Sequence, residues 1–124
     1  MSLRHPLARV KGLGASGEGS HHWWGQRLSA VALAPLSIWF VFAVIDHIGD
    51  SHDEVISWVS SPGVAVMLIL FVGFMSYHAL LGVQVVIEDY VHAESLKLVL
   101  VILVKGLALL AGLGGIFAIL RVAL

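Results

Sequence analysis

A chain of 124 residues that is 59% hydrophobic and 12% charged, with net charge −1 and mean hydropathy +0.96, departs far from the roughly 25% charged residues of a soluble domain. That composition excludes an ordinary water-soluble fold. With no cysteine, the chain has no disulfides and no thiolates to ligate an iron–sulfur cluster, and no nucleic-acid partner is expected.

In chain order, residues 1–20 lack an apolar core of signal-peptide type, so no removable leader is expected there. Residues 12–19 (Gly-Leu-Gly-Ala-Ser-Gly-Glu-Gly) read as a flexible lead-in. Residues 20–26 (Ser-His-His-Trp-Trp-Gly-Gln) read as an interfacial segment, with Trp23 and Trp24 at headgroup level. Three apolar runs follow: residues 28–45, 62–87 and 98–120, the last interrupted only by Lys105. A helix needs roughly 20 apolar residues to span a bilayer core. In lipid the backbone must satisfy its own hydrogen bonds, so helices are the expected form. The expected fold is an all-α membrane protein of three transmembrane helices, over about 27–48, 62–88 and 96–122. Residues 1–20 form a flexible segment before one membrane domain at 21–124. Pro35 should kink the first span. Ser61-Pro62 opens the second with a hydroxyl cap and proline at the first helical position. Gly106, Gly112, Gly114 and Gly115 should let the third pack closely.

Charge asymmetry sets the orientation. Arg4, Arg9, Lys11 and Arg27 precede or open span one, and Lys97 lies between spans two and three. The loop between spans one and two carries Asp46, Asp50, Asp53 and Glu54 without a Lys or Arg. The positive-inside rule then puts the N-terminus in the cytoplasm and the C-terminus in the periplasm.

Within span two, His78 stands in an otherwise uncharged run that ends in Glu88-Asp89-Tyr90-Val-His92. An ionisable residue at membrane depth is costly and usually functional. His78 lies about 16 Å from Asp89 at 1.5 Å per residue, near the middle of a core about 30 Å thick. One reading is a neutral imidazole hydrogen-bonded to a neighbouring helix. The other is an axial haem ligand through a ring nitrogen. His78, Gly82 and Asp89 share a helix face, which His92 joins if the helix continues. Gly82 leaves space beside the imidazole, for a macrocycle or for a packed helix. No second histidine lies at comparable depth, so a bis-histidine haem would take its other ligand from another subunit. Tyr90 can donate to a quinone carbonyl and Asp89 can relay protons. The alternative is that Glu88 and Asp89 end the helix at the headgroups, with Tyr90 as a belt residue. By sequence alone Arg27 reads as an orientation charge under the positive-inside rule. Lys105 should snorkel to the lipid headgroups, Gln84 should hydrogen-bond a neighbouring helix, and Met67 and Met75 should serve packing.

The run His78-x3-Gly82-x6-Asp89-Tyr90-Val-His92 resembles the hydrophobic membrane anchor (the D-type small subunit) of succinate dehydrogenase, respiratory complex II. His21-His22-Trp23-Trp24-Gly-Gln-Arg27-Leu-Ser29-Ala resembles the start of that family's first span, and the wording is closest to alphaproteobacterial and mitochondrial members. The resemblance covers nearly the whole chain from Ser20. It implies His78 as the ligand of haem b, Tyr90 as the tyrosine that bonds ubiquinone, and Asp89 as its neighbouring acid. It also implies Arg27, with His21 or His22, beside the haem propionates. The bundle would be shared with a cytochrome b-type membrane subunit. A flavoprotein and an iron–sulfur subunit would dock on its cytoplasmic face, at the bacterial inner membrane or, in a eukaryote, the mitochondrial one. Two rivals remain: the anchor of a quinol:fumarate reductase, and a cofactor-free three-span assembly protein.

Overall fold

The computed structural model describes residues 19–124; the lead-in expected at 12–19, except Gly19, and all of segment 1–20 but its last two residues, lie outside them. The described residues form four helices: α1 Gly19–Asp46, α2 His52–Ser60, α3 Pro62–Tyr90 and α4 Glu94–Ala123. Three of them are long and apolar enough to cross a membrane, at 27, 29 and 30 residues.

Helix α1 begins earlier than expected. The segment 20–26, read as interfacial, is already helical, and α1 runs unbroken through Pro35. Trp23 and Trp24 sit exposed on its first turns, edge to face at 5.0 Å between ring centroids.

The acidic loop after α1 contains an element that the hydropathy pattern hides. Gly49 turns the chain at φ +93, a left-handed conformation that glycine adopts without steric cost. Ser51 then caps α2 in a capping box with Glu54. The Ser51 backbone N–H donates to Glu54 Oε2 at 2.7 Å, and the Glu54 N–H donates to Ser51 Oγ at 3.4 Å. Trp58 stacks on Trp39 of α1 and lies 4.4 Å from the His47 ring. Ser60 Oγ lies 3.1 Å from the Val122 carbonyl of α4, which ties the short helix to the far end of the chain.

Pro62 opens α3 as expected, but Ser61 does not cap it with its side chain. Its hydroxyl donates back to the Trp58 carbonyl at 2.8 Å, so it closes α2 instead.

The three long helices form an open ribbon. Helix α3 lies in the middle, packed on α1 and on α4, and α1 and α4 do not pack on each other. Both contacts are antiparallel. Phe40 stacks on Phe71 at 4.6 Å along the first. Small residues set the second. A Cβ added at Gly112 would lie 3.2 Å from Ser76 Oγ, and one at Gly115 would lie 2.8 Å from Val72 Cγ1. At Gly106 and Gly114 an added Cβ would meet nothing within 4 Å, so only half of the glycine stripe serves packing. The buried interior is thin: Leu33 and Leu36 of α1, and Ala65, Leu68, Leu81 and Ile87 of α3. Most large apolar side chains face outward, as lipid or a partner helix requires.

Two predictions follow from this packing. Gly115→Ala should destabilise the detergent-solubilised protein by about 1–3 kcal/mol, because Val72 is stiff at χ1 and cannot yield without a backbone shift. Gly106→Ala should leave the melting temperature unmoved; equal melting of the two variants would refute the close α3–α4 contact. At α2, the side-chain bond from Ser51, then its backbone bond, hold the Glu54 carboxyl below its usual 4.5. A lowered acid stabilises the fold above 4.5 and loses that contribution as pH falls through the lower folded value. Ser51→Ala should therefore raise the Glu54 titration midpoint toward 4.5 and fray α2, as read by NMR titration of the side-chain carboxyl.

Candidate functional site

The α1–α3 seam holds the chain's polar interior. His78 lies in the second half of α3, half-buried, and faces α1. Its Nδ1 is 2.9 Å from Ser29 Oγ. Ser29 is only 2% exposed, and its hydroxyl also reaches the Gln26 carbonyl one turn back at 3.0 Å. His78 therefore does bond a neighbouring helix, but with one ring nitrogen. Its Nε2 has no hydrogen bond among the described residues and is not among their buried unpartnered atoms.

Around this pair the two helices approach closely. A Cβ on Gly25 would lie 2.6 Å from the Tyr77 hydroxyl oxygen and 3.3 Å from Leu81, so a bare backbone is what admits the tyrosine here. A Cβ on Gly82 would lie 3.7 Å from Gln26 Nε2. The space that Gly82 leaves beside the imidazole is thus partly shared with the Gln26 amide. Among the described residues, the buried side-chain N and O atoms without a partner are His22 Nε2 and Gln26 Oε1. Both belong to the α1 face that carries Ser29, at spacings of seven and three.

The candidate residues separate accordingly. His22 shares the Ser29 face and is half-buried, whereas His21 is exposed. Arg27 is not at the end of α1 but about two turns inside it, close to the level of Ser29. It points away from α3 and lies over the Trp23 ring, 4.8 Å from its centroid. The structure brings Arg27 and His78 to one level without bringing them together. Asp89 and Tyr90 end α3, and both are exposed, Tyr90 at 78%. Asp89 falls on the helix face of His78, about 16 Å along the axis. The helix stops at Tyr90, so His92, exposed in the connection to α4, does not join that face. Gln84 donates to Glu88 Oε1 at 2.8 Å within α3, so it does not bond a neighbouring helix as the sequence suggested.

Ser29 is the residue that sequence reasoning passed over. A serine in an apolar run is common. Its meaning comes from the register that sets it opposite His78, which no single-helix pattern contains.

The donor set of the seam fits half of a six-coordinate haem site: one imidazole, anchored at one nitrogen, with the other nitrogen free. No group of three or more His, Cys, Asp or Glu that could hold a bare metal ion occurs among the described residues. The apolar groove of about 420 Å³ between α3 and α4 is lined by Gly73, Tyr77, Lys105 and Gly112 among others, and it shares Tyr77 with the seam. Lys105 is exposed there and has no ion pair among the described residues.

Residues 1–113 match the sequence profile of the family described as succinate dehydrogenase/fumarate reductase transmembrane subunit. The chain is 33% identical over 117 residues to the succinate dehydrogenase hydrophobic membrane anchor subunit of Rickettsia bellii, covering 94% of each. It is 30% identical over 120 residues to the protein of that name from Paracoccus denitrificans, covering 96% of this chain and 92% of the relative. The succinate dehydrogenase membrane anchor subunit of Reclinomonas americana is 31% identical over 94 residues, covering 73% and 78%. No solved structure matches the chain significantly.

Proposed function

Because this chain belongs to the succinate dehydrogenase/fumarate reductase transmembrane subunit family, we propose that it is the membrane anchor of a succinate:ubiquinone oxidoreductase. The named relatives are anchors of succinate dehydrogenase, which favours this direction over fumarate reduction. The chain does not oxidise succinate itself. It docks a flavoprotein and an iron–sulfur subunit at the membrane end where α1 begins and α3 ends. That end faces the cytoplasm and the C-terminus faces the periplasm, because in the sequence Arg4, Arg9 and Lys11 precede the first span and Lys97 follows the second, whereas Asp50, Asp53 and Glu54 fall between the two without a Lys or Arg.

The observation that carries the haem reading is His78, tied through Nδ1 to the buried Ser29 and free at Nε2. Haem b, when bound, supplies a one-electron centre within the membrane. His78 would hold its iron through Nε2, and a histidine of a cytochrome b-type partner subunit would supply another ligand. His22, on the Ser29 face with an unpartnered buried nitrogen, suits the propionate side. Arg27 suits it too, since a guanidinium that leaves Trp23 can bond a carboxylate twice.

Tyr90 and Asp89, exposed at the end of α3, form this chain's share of the ubiquinone site. The Tyr90 hydroxyl donates to a quinone carbonyl and so polarises it for reduction. Asp89, within reach of water, relays protons as quinol forms. Exposure of both in the single chain is what a site completed by other subunits requires.

Two measurements on the detergent-purified complex test this. A reduced-minus-oxidised absorption spectrum should show a b-type haem that is lost or shifted in His78→Ala; an unchanged spectrum in that variant would remove His78 as the ligand. Tyr90→Phe should lower quinone reduction about tenfold, the cost of one substrate hydrogen bond, while succinate oxidation by an artificial dye persists. Quinone reduction at the wild-type rate would exclude Tyr90 from the site.

A further inference from the structure

We infer that Ser29 is the positioning residue for His78: it fixes the ring rotation and the tautomer that leaves the Nε2 lone pair bare, and so tunes the iron this nitrogen would hold. The inference rests on the reading of His78 as a haem ligand and adds the residue that sets that ligand's donor strength.

Hydrogen-bond polarity carries the argument. The Ser29 hydroxyl has one proton, and the Gln26 carbonyl, 3.0 Å away, can only accept it. The Oγ lone pairs then face Nδ1 at 2.9 Å, a distance at which Nδ1–H donates. A neutral imidazole carries one N–H, so a proton on Nδ1 leaves Nε2 without one. The opposite tautomer would turn an N–H outward into an apolar span, where an unmet donor is costly. Ser29 is 2% exposed, so neither lipid nor bulk water can take its place as acceptor.

The contact crosses between helices. Ser29 belongs to α1 and His78 to α3, so the serine fixes the ring against rotation about its own helix. It also acts electronically. An acceptor on Nδ1–H raises the basicity of the ligating nitrogen. A more basic ligand favours ferric over ferrous iron, so the serine holds the midpoint potential down. The relay Gln26 C=O, Ser29 O–H, His78 Nδ1–H polarises in one direction, and each bond strengthens the next.

The test is a redox titration of the haem absorption band in the intact complex, with wild type, Ser29→Ala, Ser29→Thr and Ser29→Cys side by side. Ser29→Ala should bind haem about 10–100-fold more weakly, the usual cost of losing such a partner, with its midpoint potential shifted positive. Ser29→Thr keeps the hydroxyl and should restore both toward wild type. If Ser29→Ala does not assemble, Ser29→Cys gives the same readout, since a thiol is a weak acceptor of similar shape. Wild-type haem content and potential in Ser29→Ala or Ser29→Cys would overturn the inference, as would a Ser29→Thr shift as large as that of alanine. A wild-type complex without haem would instead overturn the reading of His78, and this inference with it.

Discussion

The core of a bilayer offers no water, and the rest of this structure depends on that constraint. Backbone groups answer it by forming helices. Side-chain polar groups must answer it one by one, and most do so locally. Ser60 and Ser61 bond carbonyls of α2, and Gln84 bonds Glu88 a turn along α3. Ser29 and His78 answer it across two helices. What is left unanswered collects in one place: His22 Nε2, Gln26 Oε1 and the free nitrogen of His78 all lie along the α1–α3 seam. A membrane protein tolerates such a concentration where another molecule completes the bonds.

The ribbon architecture agrees with this. A central α3 packed on both sides, with α1 and α4 apart, buries few side chains and leaves broad apolar faces. In lipid those faces carry no penalty by themselves, because lipid tails are as apolar as leucine. Helices meet there through shape, which is why Gly112 and Gly115 fit Ser76 and Val72.

The long helices were legible in the sequence because length and hydropathy report on the solvent, and the solvent is uniform. His78 was legible for the same reason: a titratable group at mid-membrane stands out against its neighbours. Helix α2 was not, since its signal is a capping box, Ser51 to Glu54, and a hydropathy scan sees only an acidic loop. That His22 and not His21 turns inward, and that Ser29 bonds His78, needed the relation between two helices. Angular position along one helix places Ser29 on a face, but only the antiparallel register says what that face meets. Arg27 shows the limit from the other side. Its charge marked the helix end, yet α1 runs on past it, because tryptophans and histidines can sit at the headgroups as well as arginine does.

Helices α3 and α4 are joined by residues 91–93 alone, and at this join Lys97 lies 3.9 Å from Glu94. So short a link gives the pair the shape of a hairpin, with one pair of opposite charges at its turn. Such a hairpin can enter the bilayer as one piece during biogenesis, its backbone bonds made and both arms greasy. Helix α1, held to it by the seam and through the short helix α2, is then the arm that can arrive separately, so assembly of the pocket becomes a question of when the first arm closes on the hairpin.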